Sequence, residues 1–312
     1  PSGLTWSPVW HADPADAVGA QFGKAVGGAG DVNGDTYTDL IIGAPTLTTT
    51  FAAEGRAYVY HGSADGPSDP ASPDWTLDPV DETEAHFGAA VGTAGDVDDD
   101  GYGDVIVGAP GTNAGLTDQG AAYVFVGSAS GLGTSAWWSG TGGRVGAHFG
   151  FAVGTAGSVN GDAYADWIVG APDDGAVATG QGRADVYLGG SSAPSAVSWT
   201  GRPTGTQANL HYGTTVGTAG DVGNDGFDDI IVGGPGYVGY THEGTDIAEG
   251  RAYVYHGSGG GLTTDPSWAT DPTNQDGAAF GSAVAGGGDI DGDGYADVLV
   301  GAPSYYRNSS HG

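Results

Sequence analysis

Acidic side chains on alternate residues are the part of this chain best suited to chemistry. Five nine-residue loops begin at Asp31, Asp96, Ser158, Asp221 and Asp289. Within them, candidate ligands stand at positions one, three, five and nine: Asp31, Asn33, Asp35 and Asp39; Asp96, Asp98, Asp100 and Asp104; Ser158, Asn160, Asp162 and Asp166; Asp221, Asp225 and Asp229; Asp289, Asp291, Asp293 and Asp297. Carboxylates packed this closely repel one another unless a cation lies among them. The backbone carbonyl at position seven (Tyr37, Tyr102, Tyr164, Phe227 and Tyr295) can join the side chains on one ion. A set of hard oxygen ligands this numerous suits Ca²⁺ better than the smaller and geometrically stricter Mg²⁺. An EF-hand would need a bidentate Glu at position twelve, where Ile42, Val107, Val169, Val232 and Val300 stand. The same Asp-Gly clusters would also serve as plain hairpin turns.

The loops differ in charge, and affinity is expected to follow. The second and fifth hold four Asp each, the first has Asn33, and the third has Ser158 and Asn160. The fourth has Gly223 at position three, so it is the weakest of the five on this reading.

Each loop is embedded in one copied unit. The copies read FGKAVGGAGDVNGDTYTDLIIGAP from Phe22, FGAAVGTAGDVDDDGYGDVIVGAP from Phe87, FGFAVGTAGSVNGDAYADWIVGAP from Phe149, YGTTVGTAGDVGNDGFDDIIVGGP from Tyr212 and FGSAVAGGGDIDGDGYADVLVGAP from Phe280. A regular period of about 65 residues indicates a supersecondary unit in tandem, each copy burying its faces on its neighbours. In the second copy, Phe87 to Val91 is expected as a short strand, Asp96 to Asp104 as the hairpin loop and Val105 to Val107 as a strand covered on both faces. Gly108-Ala109-Pro110 ends that strand, since Pro cannot donate to a ladder. A third strand follows at Gly120 to Ser128, with relatives from Gly55, Gly182 and Gly250. A fourth carries Trp75, Trp137, Trp138, Trp199 or Trp268. Four short antiparallel strands per unit make a propeller blade, so the expected fold is all-β, one propeller over residues 1–312 or part of a larger one.

These units resemble FG-GAP repeats, the blades of the integrin α-subunit propeller and of many microbial surface proteins, and five are visible. The resemblance implies Ca²⁺ in the Asp loops, four or five ions per chain, and usually seven blades. The start of the chain, with Trp6 and Trp10, looks like a fourth-strand segment, and the end stops where the other copies begin their third strand. The expectation is a fragment of a longer array, or a last blade completed by a strand from elsewhere, including self-association through its open edge.

Composition narrows the function classes. The 312 residues carry 63 Gly and 16 Pro with 38 % apolar residues, a pattern of many short punctuated strands. Cysteine is absent, so no disulfides hold the loops, and bound metal is the candidate that does. The formal charge of -31 would repel phosphate backbones, which makes nucleic acid an unsuitable partner. No run approaches the 18 apolar residues of a membrane-spanning helix. The chain begins at Pro1 with neither Met nor a signal peptide, as a processed or excised segment would.

The recurring aromatics Phe22, Phe87, Phe149, Tyr212 and Phe280 read as packing elements between sheets, and the Trp residues likewise, although exposed Trp can stack on sugars. His86, His148 and His211 each precede an aromatic-Gly pair with no repeated nucleophile beside them, and read as loop histidines. Arg56, Arg183 and Arg251 open the third strands and are expected to pair with nearby acids. The function expected is a non-enzymatic, secreted or cell-surface module that binds an extracellular protein. A carbohydrate-binding propeller is the alternative, and the non-catalytic propeller of a secreted enzyme ranks last. Specificity would reside in the long loops Thr46 to Glu54, Gly111 to Gln119 and Gly236 to Glu249. Asn308-Ser309-Ser310 is a glycosylation sequon, consistent with an extracellular location.

Overall fold

The structure, a computed structural model, describes residues 10–13, 19–240, 246–272 and 275–306. Trp6 and the sequon at Asn308 lie outside them. The first blade consists of β1 (Ala25–Gly30), β2 (Asp39–Ala44), β3 (Arg56–Tyr60) and β4 (Trp75–Leu77). The second is β5 (Ala90–Gly95), β6 (Asp104–Ala109), β7 (Ala121–Phe125) and β8 (Trp138–Thr141), and the third is β9 (Ala152–Gly157), β10 (Asp166–Ala171), β11 (Arg183–Tyr187) and β12 (Trp199–Gly201). The fourth is β13 (Thr215–Gly220), β14 (Asp229–Gly234), β17 (Arg251–Tyr255) and β18 (Trp268–Thr270), with a side ribbon of β15 (Val238–Tyr240) and β16 (Asp246–Ala248). The fifth sheet has two strands among the described residues, β19 (Ala283–Gly288) and β20 (Asp297–Gly301).

Each full sheet runs in chain order with antiparallel pairing, and the chain folds as a β-propeller. The innermost strands β1, β5, β9, β13 and β19 pack one against the next. They are rich in Gly, Ala and Thr because five backbones converge there, whereas the second strands, fully buried in blades two to four, are Ile- and Val-rich.

The first strand begins later than the sequence suggests, at Ala90 and not at Phe87. Gly88 adopts φ 85°, which breaks the strand, and Phe87 instead forms a parallel bridge with Gly55 of the preceding blade. The same bridge recurs at Gly120 with Phe149, Gly182 with Tyr212 and Gly250 with Phe280. The aromatic-Gly pair therefore fastens neighbouring blades. In the first four copies the first Gly of the Gly-Ala-Pro or Gly-Gly-Pro stop lies against it: a Cβ added at Gly108 would collide with the Gly150 carbonyl oxygen.

The aromatic rings take the expected packing roles. Phe22 meets Tyr58 edge-on at 5.2 Å, Phe87 meets Tyr123 at 5.7 Å and Tyr212 meets Tyr253 at 5.2 Å. Trp75 packs on Phe125 and donates its indole N–H to the Gly133 carbonyl at 3.0 Å. Trp10 does the same one blade earlier, packing on Tyr60 and donating to the Ser68 carbonyl at 2.8 Å, so it takes the place of a fourth-strand Trp. Val26 on β1 and Leu299 on β20 are 64 % and 54 % exposed, so the outward faces of the first and last sheets are uncovered among the described residues.

Candidate metal-binding loops

All five acid loops lie in the turn between the first and second strands of a blade, at one end of the sheets. Their backbones are held by the same carboxylates that sequence reasoning offers to a metal. In the second loop, Asp96 accepts the N–H of Asp100 (3.1 Å) and of Gly101 (2.9 Å), and Asp100 accepts the N–H of Tyr102 (3.0 Å). Asp31, Asp221 and Asp289 cradle their own loops in the same way, and Asp35, Asp225 and Asp293 each accept the N–H at position seven. Each loop that begins with Asp turns through a positive φ at position six. The angle is 91° at Gly101, 87° at Gly226 and 94° at Gly294, and 77° even at Thr36.

The third loop departs from this pattern. Ser158 has no carboxylate to hold the turn, and its hydroxyl donates to the Asp162 carbonyl at 3.0 Å. Ala163 accordingly is not among the positive-φ residues. Asn160 donates its amide to Asp162 Oδ2 at 2.7 Å and accepts the Asp162 N–H at 3.1 Å, so it is spent within the loop. Asn33 does the same with Asp35 in the first loop, at 2.9 and 3.0 Å.

Position nine is a clamp. Asp104 accepts the N–H of Val97 at 2.7 Å and that of Gly127, just beyond β7, at 2.8 Å. Asp39, Asp166 and Asp229 bind their own loop and Gly62, Gly189 and Gly257 likewise. Burial pushes all four carboxyls upward, to about 7 for Asp104 and Asp166, against the lowering by their backbone donors. Asp297 accepts only the Ile290 N–H, at 2.8 Å, for no third strand lies beside β20 among the described residues.

The structure brings together one oxygen each from Asp96, Asp98 and Asp104, and one each from Asp289, Asp291 and Asp293, with every pair within 4.8 Å. Ligands at about 2.3–2.6 Å from one Ca²⁺ span roughly that distance at most. Asp100 and Asp297 stand outside these triplets, and no third group of three acids converges among the described residues. The side chain of Asp98 is distinctive. Burial, then Asp100 and Asp96, raise its pKa against the lowering by the nearby N–H groups of Asp100 and Asp98, and its Oδ1 is buried with no well-formed hydrogen bond. A buried carboxylate oxygen without a donor is the atom a cation would satisfy.

One feature has no signature in the repeat sequence. The N–H at position eight of each loop donates to the position-one carbonyl of the loop before it. Gly103 donates to Asp31 (2.7 Å), Ala165 to Asp96 (2.8 Å), Asp228 to Ser158 (3.1 Å) and Ala296 to Asp221 (3.0 Å). The position-seven ring of Tyr102 also covers Gly34, and that of Phe227 covers Gly161, where an added Cβ would lie 2.6 Å from the ring. The five loops are thus strung together along one face.

The loop histidines lie at the opposite end of the sheets. His86 pairs with Glu84 at 3.3 Å, while His148 and His211 both meet Asp173, at 2.7 and 2.9 Å. The hydrogen bond to Asp173 raises the pKa of His148 and lowers that of Asp173. The Arg residues pair as expected: Arg56 with Asp78, Arg251 with Asp271, and Arg183 with Asp174 (3.0 Å) and Asp185 (2.9 Å).

Comparison with known proteins agrees with the repeat geometry. The FG-GAP repeat family model matches residues 17–60, 87–125 and 280–312. Integrin alpha-5 of Xenopus laevis is 30 % identical over 234 residues, which is 70 % of this chain, and Integrin alpha-4 of the same organism is 33 % identical over 226. The chain spans 20 % of the length of each of these two relatives. Among solved structures, the Bacillus licheniformis rhamnogalacturonan lyase PL11 aligns at TM-score 0.43 and 16 % identity over 80 % of this chain and 48 % of its own, too distant to bear on activity. From its bridged aromatic-Gly pairs, Asp hairpins and integrin-like sequence, this chain is an FG-GAP repeat protein resembling the propeller of integrin α subunits.

Proposed function

We propose that the chain is a calcium-binding propeller that works outside the cell, secreted or on a cell surface, as a protein-interaction or adhesion module rather than an enzyme. The observation that carries the calcium reading is the buried Oδ1 of Asp98, without a hydrogen bond, on a residue whose carboxylate converges with those of Asp96 and Asp104. The donor set is all oxygen, and its spread fits Ca²⁺. Bound Ca²⁺ would supply fixed positive charge, and the chain's own residues do the rest. Asp96 and Asp100 fix the turn, Asp98 lends an oxygen to the converging triplet, and Asp104 ties the loop to the end of β7. Four or five ions per chain follow from the five loops.

The integrin α relatives support the interaction role. The variable loops at 46–54, 111–119 and 236–249 connect second to third strands and so lie at the sheet end opposite the acid loops. A partner protein would bind there, on a rim held rigid by the calcium face. Equilibrium dialysis should find four or five Ca²⁺ per chain, and capture of extracellular partners should fail in chelator. One ion or none would overturn the calcium reading, and capture indifferent to chelator would separate partner binding from it.

A further inference from the structure

We propose that Asn33, and more slowly Asn160, are sites of spontaneous deamidation, and that conversion of Asn33 to aspartate turns the first acid loop into a stronger, cation-dependent site. Asn33-Gly34 and Asn160-Gly161 are the two Asn-Gly pairs of the chain, and each stands at positions three and four of an acid loop. The second and fifth loops carry Asp98-Asp99 and Asp291-Gly292 there.

Asn is a chemically labile residue, and a Gly after it leaves the approach of the next backbone nitrogen to its side chain unobstructed. In the first loop the Gly34 nitrogen gives its proton to hydroxide and bonds to Asn33 Cγ. The Cγ–Nδ2 bond breaks, and Nδ2 leaves as ammonia with a proton taken from water. Water then adds to the cyclic imide. Breaking the new N–Cγ bond restores the main chain with aspartate at 33, whereas opening at the main-chain carbonyl leaves isoaspartate.

Three observations favour the first loop. The Asp35 N–H, shared with Asp31, points at Asn33 Oδ1 at 3.0 Å, where the oxyanion of the addition step needs a donor. Among the described residues the Gly34 N–H has no acceptor, so no hydrogen bond holds the attacking nitrogen back. Gly161 donates to the Ser158 carbonyl at 3.4 Å and Gly292 to Asp289 Oδ1 at 2.7 Å, which places Asn160 second and protects the fifth loop. The labile pair is also fixed by packing, because the Tyr102 ring lies 2.6 Å from where a Cβ on Gly34 would be. The contact that strings the loops together thus demands the glycine.

The product changes the electrostatics of the loop. Asn33 now donates its amide N–H to Asp35 Oδ2 at 2.9 Å. An aspartate at 33 is acceptor-only, so that hydrogen bond becomes a contact between two carboxylates, which repel unless a cation joins them. The acids at positions one, three, five and nine rise from three to four, the set of the second and fifth loops. This consequence rests on the calcium reading, while the deamidation does not.

Ageing the intact chain in warm, mildly alkaline buffer, followed by chymotryptic mapping in the mass spectrometer, tests the first part. The peptide holding Asn33 should gain the mass of an amide turned acid several-fold sooner than that holding Asn160, and those holding Asn113, Asn209 and Asn224 should stay unchanged. Asn33→Asp makes the product directly. In calorimetric titration one of its sites should bind Ca²⁺ roughly tenfold more tightly than in the native chain, and in chelator it should melt lower. Asn33 keeping its amide as long as Asn224 does would overturn the deamidation. An Asn33→Asp chain that matches the native one in Ca²⁺ affinity and in its melt in chelator would overturn the stronger site. If neither chain binds Ca²⁺ while Asn33 still deamidates, the calcium reading falls, and the stronger site with it.

Discussion

The second and fifth loops carry the same four aspartates, yet they are different machines. In the second, Asp104 is buried and gripped from two sides, by its own loop and by Gly127 beyond the third strand. In the fifth, Asp297 is partly exposed and holds one backbone N–H. The triplets that converge differ accordingly, with the position-nine carboxylate included in the second loop and left out of the fifth. The same four aspartates thus gather their position-nine carboxylate into the cluster where the third strand holds it, and leave it out where no third strand is described. Preorganisation lowers the ordering cost of binding. Charge count alone, which ranks the two loops as equals, misses this.

The largest effect expected from this contrast is thermal. If the loops hold Ca²⁺ in the folded state only, saturating ion adds about 2.7 kcal/mol per site at a hundredfold excess over Kd. Chelator should then lower the melting temperature by roughly 10 °C or more, with the calorimetric loss dominated by the second loop. An unchanged melt in EGTA would mean that the loops are only turns.

A sharper contrast comes from the motif glycines. At Gly108 an Ala methyl would strike the backbone of Gly150 in the next blade, while at Gly301 it meets only Ala283 Cβ at 3.4 Å. Gly108→Ala should cost about 3 kcal/mol or more in urea unfolding, and Gly301→Ala within about 0.5 kcal/mol of nothing. Equal costs would show that the close approach between blades is not what this glycine serves.

Asp104→Asn and Asp297→Asn compare the clamp with its weaker counterpart. In the second loop an Asn must turn an amide donor towards one of two backbone donors, at about 1–3 kcal/mol. In the fifth its oxygen still accepts from Ile290, and the loss should stay below about 1 kcal/mol. Denaturant midpoints in chelator, where ligand effects vanish, read this directly, and a larger loss in the fifth loop would refute it.

The smallest effect lies at the other end of the sheets, where Ala279 stands in the fifth copy at the position of His148 and His211. His148 titrates above its ordinary 6.5, so its contribution is whole below that value and disappears as pH rises through the folded pKa. Asp173 titrates below its ordinary 3.8, so its contribution is present above that value and disappears as pH falls through the folded one. The pair should therefore stabilise most between about pH 4 and 6.5, and by no more than about 1 kcal/mol given its partial exposure. His148→Ala should remove the fall in stability on either side of that window, below about pH 4 and above about 6.5. A profile as steep as that of the native chain would exclude the pair as its source.

The sequence made the blade count of the visible repeats, the hairpin position of the acid loops and the packing role of the rings readable, because each depends on residues close together in the chain. Phe87 was harder. Its aromatic and glycine look like a strand start, and only the φ of Gly88 and the bridge to Gly55 reveal a clasp between blades. Asp104 and Gly127 are 23 residues apart, with a variable loop between them, so the clamp has no local pattern. The loop-to-loop bonds run from backbone to backbone and are written in no side chain.

Those loop-to-loop bonds give the row of loops a direction. Each of the first four loops lends its position-one carbonyl to the loop that follows, and in all but the third that residue's carboxylate also shapes its own turn. Stiffening that residue at one site lowers the entropy its successor has left to lose. Occupancy would therefore spread along the row as tension passes along a string of beads, and a loop without an anchoring acid, as at Ser158, would be a soft link where the message fades.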